Sequence, residues 1–343
     1  MYPNNKILDN FEGSHLLENA IDNHIHCCPH INDRSVHIFE AVRHANACKM
    51  KAIGLMDNFS NSSGYAALVN KELNSINLEV FGGLIMEPYA GGVSVEAVKV
   101  ALKYNYGDNL NTRFVSMPTH HTRFIARAEN RSEDYIEFCS YIPETGELPD
   151  PLPEILELIA EHDVVLNTGH LSGKEAVRLI ESAKLRGVNR ILVPSSHYEP
   201  EIVKEISNQN CYAEFSFFCI SKATEVGLTH IDEEKHKAQP VKIEKMKELI
   251  KSAGINNTIL SSDCGVSILP IPVEGFAKFL LTIKKQGFSE KEIKIMSSIN
   301  LTASFPDRWP VFKTTSCLAI NSKISGRGSG SSPVSGIYEQ NSM

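Results

Sequence analysis

The chain has no apolar run approaching the ~20 residues that a bilayer-spanning helix needs. Its opening "MYPNNKILDNFEGSHLL" lacks a charged start followed by an apolar signal core. It has no long basic run, and its 34 Lys and Arg against 41 Asp and Glu leave a formal net charge of −7. That removes the electrostatic case for nucleic acid or an anionic membrane surface as partner. Its eight cysteines include no C-x-x-C pair, which argues against a zinc ribbon or a thioredoxin-type site. Most of them lie inside apolar segments, as reduced, partly buried thiols do. No G-x-G-x-x-G follows the first strand-like run, and "FGGL" lies inside a strand, so a Rossmann dehydrogenase fits poorly. These absences leave the expectation of a cytoplasmic protein that acts on a small molecule, with homo-oligomerisation left open.

What is present is enough apolar sequence, 42% of 343 residues, to bury a large α/β core. Eight β-type runs, at 20–27, 51–58, 78–86, 112–118, 164–170, 190–197, 212–218 and 258–263, alternate with segments of helical period. Several are apolar throughout their middles and polar at their ends, as parallel strands covered on both faces are. Ser172 with Glu175, and Ser289 with Glu292, have capping-box spacing, while Gly187, Gly254 and Gly287 close helical runs. The pattern predicts a (β/α)8 TIM barrel forming a single domain over 1–313. Residues 129–150, with "ETGE" as a turn, read as a hairpin inserted between strands four and five, placed to act as a lid. Residues 314–343, rich in Ser and Gly, read as a disordered tail.

In such a barrel the chemistry sits where the strands end. The first run ends in "HIHCCPH", in which His24 and His26 are two apart and share one face of an extended chain. The fifth ends in His170, the sixth in His197 and the eighth in Asp263. Four imidazoles and a carboxylate at one end of a barrel form an N/O donor set suited to Zn²⁺, Fe²⁺, Mn²⁺ or Ni²⁺. Cys27 and Cys28 are read as packing. His30 lies past the strand, at the mouth.

With H-x-H on the first strand, His on the fifth and sixth and Asp on the eighth, the chain resembles the amidohydrolase superfamily of metal-dependent hydrolases. "FGGLIMEPYAGGVSVEAV", "FVSMPTHH", "VVLNTGHLSGKEA", "GVNRILVPSSH" and "ILSSDCGV" are similar to a little-characterised amidohydrolase-like family, over roughly residues 15–300. The resemblance implies a centre of one or two divalent metals per chain, zinc first among them, in which His24, His26 and Asp263 hold one ion. His170 and His197 hold a second ion or orient substrate. Asp263 accepts the proton of an activated water and passes it to the leaving group, with His197 counted beside it as a catalytic group.

Many binuclear members bridge their metals with a carboxylated lysine or a glutamate on strand four, but here that strand ends "MPTHH". This favours a single metal, with a bridge from Asp57 or Glu87, or ligation by His120 or His121, as the other options. Further departures are Leu301 after Asn300, where the family has Asn-Pro. For the substrate, Arg123 is positioned to meet an anionic group, and Tyr198 and Phe217 to form an apolar wall. The function expected is hydrolysis of an amide, lactam, cyclic imide, lactone or ester in a small metabolite. The alternatives are a metal-dependent decarboxylase of an aromatic or unsaturated acid, and a non-catalytic metal-binding barrel.

Overall fold

The computed structural model describes residues 11–106, 111–226, 228–229 and 235–304. Its barrel strands are β1 (Ile21–Ile25), β2 (Ala52–Leu55), β3 (Glu79–Ile85), β4 (Thr112–Ser116), β5 (Val165–Asn167), β6 (Ile191–Pro194) and β7 (Tyr212–Ser216). A two-residue antiparallel ribbon, β8 (Leu228–Thr229) with β9 (Lys235–His236), precedes the last barrel strand, β10 (Thr258–Ser261). The sheet runs β1-β2-β3-β4-β5-β6-β7-β10, with every ladder parallel, as the eight runs in the sequence predict.

The first six connections carry α1 (Ile38–Ala47), α2 (Ser63–Glu72), α3 (Val95–Lys103), α4 (Arg123–Ala128), α5 (Glu133–Phe138), α6 (Leu152–Glu161), α7 (Gly173–Leu185) and α8 (Pro200–Asn208). Between β7 and β10 lie α9 (Phe217–Ile220), α10 (Ala223–Val226) and α11 (Ile243–Ala253), and after β10 come α12 (Pro272–Lys285), α13 (Glu290–Lys294) and α14 (Asn300–Ser304). Both predicted capping boxes form, Ser172 with Glu175 on α7 and Ser289 with Glu292 on α13. Asn300 donates to the carbonyls of Ile255 and Thr258, at 2.7 Å each, and so ties α14 to the start of β10. Among the described residues no helix is long and apolar enough to cross a membrane.

The strands are buried along nearly their whole length, because side chains such as Phe81 and Phe114 fill the inside while helices cover the outer face, where Phe215 packs in the layer between sheet and helices. Each of these rings contributes roughly 1.5–3 kcal/mol by leaving water. The predicted hairpin is not formed. Residues 133–138 are helix α5, because Ser132 accepts a hydrogen bond from the Tyr135 N–H while Glu133 and Asp134 sit in the first turn, where the helix dipole favours acids. The chain that follows is fixed to α7, with Ile142 N–H donating to Glu175 and Arg178 to the Gly146 carbonyl. The Ser/Gly-rich run at 314–343 lies outside the described residues.

Closure between β1 and β10 departs from a regular ladder. The β1–β2 register passes from Asp22↔Ile53 to Ile25↔Leu55, so β1 holds one extra residue, a bulge at Asn23 and His24. Gly54 stands opposite it on β2, where a Cβ would lie 2.4 Å from the Asn23 carbonyl oxygen. On the other side the chains are laced by Asp263 N–H to the His24 carbonyl and His26 N–H to the Cys264 carbonyl, both 2.8 Å. The Asp22 carboxylate replaces a ladder carbonyl by accepting from Ser262 N–H at 2.9 Å. Gly265 follows with φ at +121°, its missing Cβ overlapping the His26 carbonyl at 1.6 Å.

Gly265→Ala must therefore open the seam or strain the backbone. It is expected to cost about 3 kcal/mol, lowering Tm by roughly 6–12 °C. Gly146→Ala, also at positive φ but with nothing within 4 Å, is expected to cost only about 1 kcal/mol. Thermal melts of both variants check this.

Candidate metal centre

The laced seam delivers three of the predicted ligands to one point. His24 Nε2 lies 3.3 Å and His26 Nε2 3.1 Å from Asp263 Oδ1, and donor atoms of the three residues all fall within 4.8 Å of one another. The two imidazole rings are 5.3 Å apart and tilted by 59°, so they converge rather than stack. Asp263 holds φ at +51°, a left-handed conformation uncommon for a side-chain-bearing residue and characteristic of functional positions. It is the turn immediately after β10 that swings this carboxylate back over the end of β1.

A buried acid stands behind the first histidine. Glu214, in the middle of β7 and 3% exposed, has Oε1 3.2 Å from His24 Nδ1 and accepts from Asn23 Nδ2 at 3.0 Å. Because the bulge sits at Asn23 and His24, two consecutive side chains meet one carboxylate, which regular alternation forbids. With Nδ1–H donating to Glu214, the His24 Nε2 lone pair faces the Asp263 oxygen. This acceptor-to-acceptor contact calls for a proton or a cation between them. Burial opposes a charge on His24, but Asp263 and Glu214 outweigh it and push the imidazole up to about 9. Burial likewise disfavours ionised Asp263, yet the charge of His24 and the hydrogen bond from His26 hold its carboxyl below the usual range.

Burial pushes Asp22 up to about 7, against hydrogen bonds from Ser262, and burial, aided by the charges of Arg34 and His24, pushes His26 down against Asp263. The second oxygens of Asp22 and Glu214 and the Nδ1 of His26 are buried without a partner among the described residues. Three carboxylates around two histidines form a pocket of excess negative charge. Together with two imidazole nitrogens and one carboxylate oxygen as donors, it fits a divalent cation.

The remaining predicted residues lie around this trio. His170 and His197 sit three residues beyond the ends of β5 and β6, on loops rather than strands. His170 is fixed by its N–H on the Pro118 carbonyl and its carbonyl on Thr122 Oγ1. Burial lowers its imidazole pKa, and it senses the charge of Asp263, so it lies near the trio without joining the three-donor group. His197 is exposed and interacts electrostatically with His170.

Of the adjacent pair after β4, His120 turns its ring toward His170, with centroids 6.3 Å apart, and His121 turns away to Glu87. Glu87 is 1% exposed, and its oxygens take the N–H groups of Thr119, His120 and His121, the Thr119 hydroxyl and His121 Nδ1 at 2.7 Å. It holds the loop after β4 in shape rather than facing the trio. Asp57 is spent on Phe59 N–H and Ser60 Oγ, and His30 on Asn32 N–H and Arg34.

The predicted substrate contacts are separated. Tyr198 is buried with its hydroxyl on the Leu171 carbonyl at 2.6 Å, and Phe217 packs on Phe279. Arg123 lies over the Tyr141 ring and lines a pocket of about 540 Å³ between α4 and α7, shared with Arg127, Lys174 and Arg178. Glu214 and Asn23 join the centre without having been among the residues the strand ends predict. An acid inside the apolar run "YAEFSFF" was the available signal.

Glu214→Gln should keep the fold but loosen the His24 ring, weakening zinc affinity by roughly 10–100-fold in chelator competition. Glu87→Gln should destabilise the protein by about 2 kcal/mol at pH 7. His121 and the backbone N–H groups outweigh burial and depress the Glu87 pKa below 4.5. A depressed carboxyl contributes stability above its unfolded pKa and loses it as pH falls through the folded one. The urea-midpoint gap between wild type and Glu87→Gln is therefore expected to be full above pH 4.5 and to shrink below it.

The pattern of one protein family, described as "Family of unknown function (DUF6282)", matches residues 19–214. No curated protein matches. Among solved structures, an amidohydrolase from Pseudomonas aeruginosa is 12% identical with a TM-score of 0.55, over 86% of this chain and 98% of its own. The probable dipeptidase PvdM from Pseudomonas aeruginosa is 10% identical with a TM-score of 0.55, over 85% and 95%. A putative 2-pyrone-4,6-dicarboxylic acid hydrolase from Pseudomonas putida is 12% identical with a TM-score of 0.51, over 84% and 97%. At these identities the likeness is one of fold, and it bears out the (β/α)8 barrel. The family pattern covers more than half of the sequence, from before β1 with His24 and the following His26 to Glu214 within β7, and the chain belongs to the DUF6282 family.

Proposed function

We propose that this protein is a metal-dependent hydrolase that cleaves an amide, lactam, cyclic imide, lactone or ester bond in a small molecule. The observation that carries the reading is the convergence of His24 Nε2, His26 Nε2 and an Asp263 oxygen within 4.8 Å at the C-terminal end of the barrel strands. That is where enzymes of this fold place their chemistry. The fold neighbours, described as an amidohydrolase, a probable dipeptidase and a putative 2-pyrone-4,6-dicarboxylic acid hydrolase, support the bond classes proposed.

His24, His26 and Asp263 would hold a single divalent cation, zinc first, with iron, manganese and nickel sharing the donor set. Such a cation would supply Lewis-acid polarisation of the scissile carbonyl and water activation near neutral pH. Glu214 keeps the His24 ring turned so that Nε2 faces the centre. Asp263, held ionised by its imidazole neighbours, can accept a proton and hand it to the leaving group. His170, kept neutral by burial, is available to hydrogen-bond the substrate beside the centre.

The test uses zinc-loaded protein on a panel of lactones, esters, cyclic imides and dipeptides. Turnover should vanish with chelator and return with metal. At matched metal content Asp263→Asn should lower kcat by about 10²–10⁴-fold. Equal hydrolysis by Asp263→Asn would overturn the mechanism. Release of CO₂ without a hydrolytic product would select the decarboxylase, and chelation that only destabilises the fold would select the non-catalytic barrel.

A further inference from the structure

The loops at the mouth carry an unbroken chain of rings that the metal centre does not use. The His30 ring meets Phe59 edge-on at 5.1 Å, Phe59 stacks on Tyr89 at 5.7 Å and 24°, and Tyr89 meets the His121 ring at 5.1 Å. His121 in turn contacts Tyr135 and Phe138 of α5 at 5.5 and 6.3 Å. These residues follow β1, β2, β3 and β4 in order, so the chain of rings is an arc along one side of the barrel mouth. Its rings are open to solvent in part, with Phe138 69% and Tyr89 38% exposed. An exposed aromatic arc beside a polar centre is the form of a ligand wall.

At the β1 end of this arc stands Arg34. Its backbone pairs with Val266 and the neighbouring Ser35 N–H donates to the Gly265 carbonyl, so the loop after β1 is tied beside the turn that carries Asp263. The guanidinium Nη2 is 2.7 Å from His30 Nε2, while its Nε–H is buried and meets no acceptor among the described residues. The acids around it are engaged elsewhere: Asp57 with Phe59 N–H and Ser60 Oγ, Asp263 with the two histidines. A half-buried guanidinium with an unmet N–H, one histidine ring away from the stacked Phe59 and Tyr89, fits a carboxylate on a planar body, since arginine binds carboxylates through paired N–H groups and rings stack on rings.

We propose that the ligand of this site is a ring-bearing carboxylate, its ring seated against Phe59 and Tyr89 and its carboxylate on Arg34. The cleavage of such a molecule rests on the hydrolase reading above; its binding does not. Isothermal titration of the zinc-loaded protein with phthalate, dimethyl phthalate and maleate separates ring from charge. Phthalate should bind more tightly than either of the others. Arg34→Ala and Phe59→Ala should each weaken phthalate by about tenfold, with Arg34→Lys intermediate and thermal melts confirming that all three variants fold. Equal phthalate affinity in wild type and folded Arg34→Ala, as direct coordination to the metal would give, would overturn the proposal. So would failure of the zinc-loaded wild type to bind phthalate, or maleate binding as tightly as phthalate. If nothing on the hydrolase panel is turned over while phthalate still binds through Arg34, the hydrolase reading fails and this one stands. If neutral, ring-free esters are cleaved equally well by wild type and Arg34→Ala and phthalate does not bind, the reverse holds.

Discussion

The seam between β1 and β10 is the constraint on which the rest of the site depends. A barrel must close its first strand on its last, and here the closing contacts include Asp263 N–H to His24, His26 N–H to Cys264, and Ser262 N–H to the Asp22 carboxylate. The Asp22 carboxylate is a side chain standing in for a strand carbonyl, made necessary by the extra residue in β1. The same irregularity that weakens the ladder puts His24, His26 and Asp263 around one point, and Gly54 and Gly265 leave room for it where any Cβ would strike backbone. Stability and chemistry thus draw on the same few atoms, a common arrangement at bulges near active sites.

Electrostatics then decides what that point can hold. Three carboxylates, Asp22, Glu214 and Asp263, are buried or nearly so around two imidazoles. The cost of burying them is visible in Asp22, pushed up to about 7, and in His24, pushed up to about 9 as the cluster draws in positive charge. A divalent cation satisfies the same demand better than a proton, because it takes lone pairs from both imidazoles and the carboxylate at once. Around the centre, Glu87 performs the opposite task. It neutralises no ligand and instead gathers the N–H groups of Thr119, His120 and His121, so that the two adjacent histidines after β4 face in different directions.

Much of this was legible in the sequence. The alternation of eight apolar runs with helical segments foretold the barrel, and the capping-box spacings at Ser172 and Ser289 located two helix starts. Local patterns are enough for this, since strand burial and helix capping are decided by near neighbours. The segment at 129–150 misled, because "ETGE" looks like a turn while the stronger signal, Ser132 followed by two acids, belongs to the cap of α5. Tyr198 reads as a mouth residue from its place after β6, yet its hydroxyl is taken by Leu171. His170 and His197 stand on loops past the strand ends, where alternation no longer aims a side chain.

By itself the sequence determined the fold class and the strand on which, or after which, each candidate site residue lies. Residue type and period carry that information without reference to distant parts of the chain. Only the tertiary structure decided that His24, His26 and Asp263 form the close group, that Glu214 stands behind His24, and that Glu87 braces a loop. Each of these is a contact between residues apart in the sequence, and for the first two the bulge at Asn23 and His24 sets its direction. A one-residue bulge leaves no trace in hydrophobic period, because what reveals it is the partner strand.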